Sequence, residues 1–358
     1  MKIALACGGT GGHIFPAVSV AEELKARDPG AEILYLCGKK DIEHAIFRIV
    51  EKERVISVES APWRGARSLW DPSFLLRLAS GLARSWKALG EHRPDVVAGF
   101  GGHYSFPVIQ AALWRGIPAL IHEQNAVPGI ANRFLAGQVA AVAVSFPETG
   151  AHLPEARRLQ VTGNPIRASI EAATRGEGLR FFGFSPEKKT LLVLGGSQGS
   201  QSINAALAPM LERLPPELRG RLQLLHLAGG MAPEASEAAM RAAGVDGRAY
   251  SFFQRMDLAY AVTDLAVGRA GATFLAEIAA KGIPAVLVPY PFGGGHQLEN
   301  ARAFARSNEA AIIGQSELTP ERLAREVSRL LERGPLKPAA PSDARRRLAD
   351  LILETART

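Results

Sequence analysis

The sequence lacks several features that would assign it to a common class of protein. Only two of its 358 residues are cysteine, Cys7 and Cys37, and neither forms a Cys-x-x-Cys pair. This composition predicts a reducing compartment without disulfides or structural zinc. No run reaches the ~18–20 apolar residues that cross a bilayer, and Lys2–Ala6 has the pattern of a core strand. We therefore expect neither a transmembrane helix nor a signal peptide.

Common nucleotide, metal and nucleic-acid signatures are also missing. The fingerprint Gly-x-Gly-x-x-Gly fails because Ile14 stands where its last glycine would fall. The chain has no Gly-Lys-Ser/Thr loop, no Asp-x-Asp pair, and no helix-turn-helix, RNP-type or zinc pattern. Its net charge of +7 nevertheless suits phosphorylated substrates, acidic lipid head groups or nucleic acid. A basic, soluble surface would give the same charge.

The first residues contain the most informative turn. The strand Lys2–Ala6 is followed by Gly8–His13, and a helix is predicted to open at Ile14–Ala17 and to run to about Arg27. A strand that ends in glycines and restarts as a helix directs backbone N–H groups and the positive helix pole to one place. The turn thus suits an anion or a developing charge, and His13 is its only ionisable side chain. A tight turn that serves packing alone is the alternative.

Strand-like and helical segments alternate, which is typical of an α/β fold with mostly parallel sheets. Polar clusters follow three strands of the first half, at Gly8–His13, Gly99–Ser105 and His122–Asn125. Because ligands bind beyond the carboxyl ends of such strands, we expect the clusters to converge on one edge. For His122 we favour packing at the strand end. The other strands predicted in this half are Ile33–Cys37, Val55–Val58, Asp95–Gly99, Ala119–His122 and Val139–Val144.

The pattern restarts after a segment rich in glycine and proline, Val161–Arg167. The strand Thr190–Leu194 and the turn Gly195–Ser200 repeat the opening arrangement, and Gly268–Thr273 and Pro289–Gln297 also follow strands. We predict two Rossmann-like domains, residues 1–163 and 164–340, facing each other across a cleft. An Arg-rich helix within 341–358 is expected to pack back on the first domain. The remaining predicted strands are Leu222–Leu227, Arg248–Phe252, Leu265–Val267, Ala285–Val288 and Ala311–Ile313.

In order and spacing, these motifs resemble the MurG family of peptidoglycan glycosyltransferases. The resemblance implies a GT-B fold, with acceptor on the N-terminal domain and donor on the C-terminal one. It implies inverting transfer of N-acetylglucosamine from UDP-N-acetylglucosamine to the muramyl 4-hydroxyl of undecaprenyl-diphospho-N-acetylmuramoyl-pentapeptide (lipid I), which gives lipid II. The matching segments span nearly the whole chain: Gly8–Ala17, Gly99–Pro107, His122–Asn125, Gly163–Arg167, Gly195–Gly199, Glu277–Ala279 and His296–Gln297.

An inverting transfer needs a base near the acceptor hydroxyl and stabilisation of the leaving diphosphate. His13 is the candidate base, because its pKa range suits proton transfer near neutrality. Glu123 is the rival, and orientation of a loop is its other candidate role. Because the Asp-x-Asp pair is missing, we expect protein groups to meet the diphosphate charge. UDP-N-acetylglucosamine is a substrate rather than a cofactor, and no visible motif requires a metal. We therefore expect neither a metal nor another cofactor.

The resemblance also implies a set of donor-binding residues. Arg167 supplies a fork of N–H donors for the diphosphate, together with Ser197, Gly196, Gly271 and Ala272. Glu277 would bind the ribose diol. His103 stands where tyrosine is common in the family, which leaves its role open. The uracil wall would be Phe252 and Phe253, the sugar contacts Asn125, His296 and Gln297, and further donor contacts Thr10, Gly11, Gly12 and His13.

A basic amphipathic segment within Leu69–Leu89 predicts contact with an anionic membrane surface. We expect Trp70, Phe74 and Leu75 to contact lipid. A stripe that faces only the core is the alternative. The resemblance implies a peripheral protein on the cytoplasmic side of the cell membrane, with no nucleic-acid partner and with other cell-wall synthesis proteins left open. Arg77, Trp86 and Trp114 are also assigned to this surface, whereas Leu78, Leu82 and Leu89 are expected to pack inward.

Two other functions remain open from the residues. A related sugar-nucleotide enzyme, such as a UDP-N-acetylglucosamine 2-epimerase, would share the nucleotide-binding half. It would lack the amphipathic segment and the turn Gly8–His13 as written. A non-catalytic lipid head-group binder would explain Trp70–Trp86, but not the combination of Arg167, Ser197 and Glu277.

Overall fold

A computed structural model describes residues 1–39, 54–63, 68, 70–196, 199–292, 295–333 and 342–357. The chain divides into two compact units, Met1–Arg167 with Ser342–Thr358, and Ala168–Pro341. The first unit thus ends after Arg167 rather than after residue 163. Its last residues belong there because Ile166 is buried and Gly163 lies against Ala344, where an added β-carbon would come within 3.1 Å.

The first unit contains a parallel sheet of seven strands. The strands are β1 (Lys2–Ala6), β2 (Glu32–Cys37), β3 (Arg54–Ser57), β4 (Val96–Gly99), β5 (Ala119–Glu123), β6 (Ala141–Val144) and β7 (Leu159–Val161). Their order across the sheet is β3-β2-β1-β4-β5-β6-β7. The short edge strand β7 was not predicted, because it has only three residues and lacks an apolar run.

Helices cover both faces of this sheet, which explains why its strands are almost continuously apolar. Successive residues of β1 enter opposite cores: Ile3 and Leu5 pack on one face, Ala4 and Ala6 on the other. The helices that precede the second unit are α1 (Gly11–Arg27), α2 (Pro72–His92), α3 (Gly102–Trp114) and α4 (Ile130–Leu135). Helix α1 begins at Gly11, earlier than predicted, so His13 lies in its first turn.

The second unit repeats this architecture with six parallel strands. They are β8 (Lys189–Leu194), β9 (Leu222–Leu227), β10 (Asp246–Tyr250), β11 (Leu265–Gly268), β12 (Ala285–Leu287) and β13 (Ala310–Ile312), in the order β10-β9-β8-β11-β12-β13. The helices are α5 (Ala168–Ala172), α6 (Arg175–Phe182), α7 (Gln201–Arg213), α8 (Pro216–Gly220), α9 (Pro233–Ala242), α10 (Met256–Val262), α11 (Ala272–Ala280), α12 (His296–Ala305) and α13 (Pro320–Glu332).

The last helix, α14 (Ala344–Thr355), belongs to the first unit. It lies on the sheet face that α1 also covers, and Leu348 and Ile352 join that core. Arg27 of α1 donates a hydrogen bond of 2.5 Å to Asp350, which adds a charged contact at the edge of the apolar one. The carboxyl-terminal segment thus completes the core of the first unit.

Each sheet has one point at which the strand order reverses, between β1 and β4 and between β8 and β11. Ligands of doubly wound α/β folds bind at such points, beyond the carboxyl ends of the strands. The turns that follow these four strands are the predicted clusters Gly8–His13, Gly99–Ser105, Gly195–Ser200 and Gly268–Thr273. The segments at the reversal points of the two sheets are therefore the ones that the motifs predicted.

Candidate active site

His13 lies at the reversal point of the first sheet, in the first turn of α1. Its Nδ1 is 3.2 Å from the carbonyl oxygen of Gly8 and 3.2 Å from the hydroxyl oxygen of Thr10. Because a carbonyl oxygen only accepts, the contact with Gly8 assigns the proton of the neutral ring to Nδ1. Nε2 then carries the lone pair, which is the arrangement required of a general base.

The ring of His13 packs against the glycines that precede α3. A β-carbon on Gly101 would lie 3.3 Å from Cδ2 of His13, and one on Gly102 would lie 3.1 Å from Nδ1 and 3.0 Å from the carbonyl oxygen of Gly8. Both glycines have left-handed φ angles, +79° and +73°. A larger residue would therefore meet backbone strain as well as the imidazole. This contact explains why the segment after β4 contains two glycines.

Two helices of the first unit begin at this edge without an acidic residue in the first turn. They are α1, whose N-cap Thr10 makes no side-chain capping bond, and α3, whose N-cap is Gly101. No carboxylate in the first turn of either helix therefore offsets the positive pole of that helix. The predicted donor contacts Gly11 and Gly12 form the start of α1. This edge suits an anionic group such as a diphosphate.

Glu123, the rival base, is buried and already holds four hydrogen bonds. Its carboxylate accepts from the backbone N–H and side-chain amide of Asn125, at 2.9 and 3.1 Å. It also accepts from Gly129 N at 3.1 Å and from Nδ2 of Asn132 at 2.8 Å. These donors hold the loop between β5 and α4. The geometry therefore favours loop orientation, which was the other role predicted for Glu123.

His122 is also buried, and its surroundings fit the packing role. Nε2 donates to the carbonyl oxygen of Gly163 at 3.0 Å, and Nδ1 accepts from the side-chain amide of Gln124 at 3.0 Å. Burial is the main cause that lowers the pKa of His122 to about 4, with the charge of His13 acting in the same direction. His122 is thus a neutral structural group near neutral pH.

Arg167 was predicted within the second domain, but it lies in the first unit. Its guanidinium carbon is 4.3 Å from the centre of the Phe15 ring, a cation–π contact with α1. The aromatic surface holds the side chain on the helix that also carries His13. The prediction was wrong because no sequence motif reveals this packing. The guanidinium of Arg167 adds a positive charge near the carboxyl edge of the first sheet.

The glycine turn after β8 approaches the next helix closely. A β-carbon on Gly195 would lie 2.1 Å from Ser200 N, so no other residue fits there without movement of the backbone. Gly196 is exposed with a left-handed φ of +88°, and Ser200 caps α7 through Ile203 N. The predicted diphosphate ligand Ser197 lies outside the described residues.

The turn after β11 leads directly into α11. Gly271 is its N-cap and Ala272 its first residue, and the first turn contains no acidic side chain. The side chain of Arg269 points back from this turn to oxygen atoms of Ser202, Gln315, Val288 and Pro289, at 2.7–3.3 Å. Burial lowers the pKa of this arginine. Sequence reasoning did not single out Arg269, because none of these contacts is local.

Glu277, predicted to bind ribose, is buried inside α11. Its Oε2 accepts a hydrogen bond of 2.8 Å from the hydroxyl of Tyr260 on α10. Tyr260 was not predicted as a site residue, since its link to Glu277 depends on the packing of two helices. The carboxylate is therefore oriented by a partner from a separate element.

Phe253, predicted for the uracil wall, follows the end of β10. Its ring packs 4.8 Å from Tyr250, 5.4 Å from Phe182 and 5.8 Å from Phe181, measured between ring centres. Phe252 is half exposed beside this cluster. Of the two phenylalanines predicted to form the uracil wall, Phe253 thus packs in the aromatic cluster and Phe252 is accessible to solvent.

His296 and Gln297 begin α12, and both are partly buried. The amide oxygen of Gln297 accepts from Tyr290 N at 2.9 Å. A backbone N–H can only donate, so this contact fixes the amide orientation and turns the NH₂ group of Gln297 the other way. Gln297 is thereby set as a donor to a hydroxyl or carbonyl oxygen.

The predicted membrane residues fall into an exposed and a buried group. Trp70 is 87% exposed, and Leu75, Trp86, Trp114 and the charged Arg77 are also accessible. Arg115 stacks on Trp86 at 4.0 Å. Phe74, however, is only 5% exposed, so its assignment to lipid contact was wrong.

One neighbour of the buried Phe74 is Trp63, whose ring centre lies 6.3 Å from that of Phe74. The neighbouring Leu76, which was not predicted, is 72% exposed instead. Leu89 is buried, and Leu78 and Leu82 are partly buried. The N-terminal half of α2 thus presents Leu75 and Leu76 to solvent next to Trp70.

Among the helices in the described ranges, none is long and apolar enough to cross a membrane. The same ranges contain no group of three or more His, Cys, Asp or Glu side chains placed to hold a metal ion.

Comparisons with known proteins agree with this architecture. The models of the glycosyltransferase family 28 N-terminal and C-terminal domains match residues 3–144 and 190–354. Curated proteins named UDP-N-acetylglucosamine–N-acetylmuramyl-(pentapeptide) pyrophosphoryl-undecaprenol N-acetylglucosamine transferase are similar along the chain. The one from Halothermothrix orenii is 40% identical, covering 100% of both chains. The one from Bacillus subtilis is 35% identical, covering 92% of this chain and 91% of its own.

A solved structure is similar over the same extent. The crystal structure of MurG from Acinetobacter baumannii covers 99% of both chains, with a TM-score of 0.76 and 29% sequence identity. Two parallel-sheet units that each match a family 28 domain define a GT-B glycosyltransferase that uses a UDP-sugar. With relatives 35–40% identical along its length, the chain belongs to the MurG family.

Proposed function

We propose that this protein transfers N-acetylglucosamine from UDP-N-acetylglucosamine to the muramyl 4-hydroxyl of undecaprenyl-diphospho-N-acetylmuramoyl-pentapeptide. The proposal is supported by the name shared by relatives that cover at least nine-tenths of this chain. The single structural observation that carries the chemistry is His13, whose Nδ1 contact with the Gly8 carbonyl leaves Nε2 as the proton acceptor.

In the proposed reaction, Nε2 of His13 takes the proton of the acceptor hydroxyl as its oxygen attacks the anomeric carbon. The bond between that carbon and the diphosphate oxygen breaks, and UDP leaves with the electron pair. The configuration inverts because the attack is a single displacement. The proton on His13 then passes to solvent, which regenerates the base.

Protein groups meet the charge of the leaving diphosphate in this proposal. The start of α11 at Gly271 and Ala272 and the glycine turn after β8 offer backbone N–H groups and a positive helix pole. Arg167 is held on Phe15 as a further cation. Glu277 binds the ribose diol, and Gln297 donates to an oxygen of the sugar. We propose that no metal ion or other cofactor is required.

The acceptor is lipid-linked, so we propose peripheral attachment to the cytoplasmic face of the cell membrane. The support is the exposed apolar group formed by Trp70, Leu75 and Leu76, with Arg77 on the same helix. Aromatic and aliphatic side chains enter the interface, and basic ones meet acidic head groups. UDP-N-acetylglucosamine, lipid I and an anionic surface are therefore the proposed partners.

The test is UDP release from UDP-N-acetylglucosamine in EDTA, with and without a short-chain lipid I analogue. We expect release that depends on the analogue and continues without divalent metal. Release without acceptor, or interconversion of the sugar, would contradict the proposal and favour a hydrolase or a 2-epimerase. Tight UDP binding without any transfer would contradict the acceptor assignment.

A further inference from the structure

Gln124 has a side-chain oxygen that the described residues leave without a hydrogen-bond donor. The residue directly follows β5 and is only 2% exposed. Its Nε2 donates to the carbonyl oxygen of Phe100 at 2.9 Å and to Nδ1 of His122 at 3.0 Å. Its Oε1 is fully buried and accepts from no group in the described part of the chain. A buried, unpaired carbonyl oxygen costs folding free energy and therefore needs an explanation.

The orientation of the amide follows from its partners. The carbonyl oxygen of Phe100 only accepts, so the atom 2.9 Å away must be the amide nitrogen. His122 supports the same assignment, because Nε2 donates to Gly163 and Nδ1 is left as an acceptor. A flipped amide would place its oxygen against two acceptors, which excludes that orientation.

Oε1 of Gln124 and the imidazole of His13 border the same small space next to Gly101. A β-carbon on Gly101 would be 3.3 Å from this oxygen, 3.3 Å from Cδ2 of His13 and 3.5 Å from its Nε2. The amide oxygen and one edge of the imidazole ring therefore both approach the point that the absent side chain of Gly101 leaves open. Because Oε1 is fully buried, an effect on the reaction must pass through the ring rather than through substrate.

We propose that Gln124 is a positioning residue that stabilises the protonated form of His13 during transfer. The proposal rests on His13 as the base of the proposed function. When Nε2 takes the proton, positive charge develops on the ring edge next to the partial negative charge of Oε1. In a buried site this attraction is strong. The unpaired oxygen thus destabilises the resting enzyme, and it stabilises the imidazole as that ring takes up the proton.

Gln124 is not the sole polar influence on His13, so a test must hold the others constant. The remaining titratable groups on the elements around the ring belong to β5, α3 and the segment after β7: His122, Glu123, His103, Tyr104 and Arg167. Substitution of Gln124 leaves all of these side chains unchanged in the sequence. The sign of the shift then separates an effect of Oε1 from a general loosening.

The experiment measures the pKa of His13 by NMR in the full chain with labelled histidine. The chain has eight histidines, and His13→Gln assigns the resonance by its loss. We expect Gln124→Met to lower the pKa of His13 by several tenths of a unit and Gln124→Glu to raise it by roughly one unit. The control is Gln223→Met, a buried glutamine of the second unit bonded to Ser185 and Thr190. It should leave this pKa unchanged.

The acidic limb of the turnover–pH profile should move in the same two directions. An unchanged pKa of His13, or a shift of the same sign in both variants, would overturn the role of Gln124. If Gln124→Met does not fold, Gln124→Asn takes its place, because the shorter side chain withdraws the amide oxygen from the ring and should also lower the pKa of His13. Full turnover in His13→Gln would instead contradict the base role, and the NMR shifts would still test the electrostatic effect of Gln124 on His13.

Discussion

The hydroxyl of Tyr260 donates a 2.8 Å hydrogen bond to Oε2 of Glu277 within the second unit. Both side chains are buried, and they come from α10 and α11. The bond fixes a carboxylate that we propose to receive the two ribose hydroxyls of the donor. In that proposal, Tyr260 links the packing of the two helices to nucleotide recognition.

Glu277→Ala is expected to weaken UDP-N-acetylglucosamine binding by roughly tenfold to a hundredfold, because hydrogen bonds to a charged group contribute about 1.5–3 kcal/mol. Tyr260→Phe should weaken it less, since the carboxylate remains but loses its orienting partner. Calorimetric titration with UDP measures both effects. Glu217→Ala, an exposed glutamate on α8, is the matched control. Equal UDP affinity in Glu277→Ala would remove the ribose role.

His13→Ala is expected to lower turnover by about 10²–10⁴-fold, the usual contribution of a general base. The dissociation constant for the donor should change much less, because Nε2 is proposed to act on the acceptor hydroxyl. Single-turnover rates and UDP-sugar titration separate the two quantities. His152→Ala is the control, since this histidine of the same unit is exposed. A His13→Ala variant with normal turnover would require another base or water.

The candidate site could be predicted from the sequence because glycine-rich turns can be recognised locally. Gly8–His13 and Gly195–Ser200 each follow an apolar strand, and each parallel sheet brings such turns to its own carboxyl edge. Alternating strands and helices likewise predicted the two-unit α/β fold. These features depend on neighbours in the chain, so they are visible without coordinates.

Features that depend on distant partners were missed. Gln124 and His13 approach the same space only because Gly101 comes from another loop, and the hydrogen bond of Tyr260 with Glu277 needs two packed helices. Phe74 was assigned to lipid because helical spacing alone does not reveal that Trp63 covers its ring. A functional residue within a local motif can be predicted from the sequence, whereas the distant residue that orients its side chain generally cannot.

Two buried histidines should make stability fall on mild acidification. His122 and His226 have a pKa of about 4, lowered mainly by burial from the ordinary value of 6.5. Between these values the unfolded chain binds protons that the folded chain does not. Their stabilisation is therefore complete above pH 6.5 and is lost towards pH 4, by at most about 1.4 kcal/mol per pH unit for each histidine.

Urea unfolding between pH 7 and 5 measures this slope before most carboxylates titrate. His226 accepts from Ser236 through Nδ1 and donates to Asn204 through Nε2, so glutamine is its closest neutral polar replacement. His226→Gln should have a lower midpoint at pH 7 but a flatter dependence on pH. The same slope in both proteins would mean that His226 is not the titrating group.

Membrane attachment is the remaining property that the exposed side chains predict. Trp70 and Leu76 are the most exposed apolar residues near the start of α2, and Asp71 fixes that start by accepting from Ser73 N at 2.9 Å. We expect Trp70→Ser with Leu76→Ser to lower partitioning into anionic vesicles, because the substitutions replace the two apolar side chains that are proposed to enter the membrane interface. The expected loss is at least about tenfold, which corresponds to ~1.4 kcal/mol. Sedimentation with vesicles measures the loss.

Phe292→Ser provides the control for this pair of substitutions, because Phe292 is 67% exposed but belongs to the second unit. It should leave vesicle binding unchanged. Transfer to a short-chain, water-soluble acceptor should be normal in the Trp70 and Leu76 variant, whereas transfer to an acceptor embedded in vesicles should fall with partitioning. Unchanged partitioning would mean that another surface binds lipid. Equal losses with both acceptors would instead mean that the start of α2 supports the active site itself.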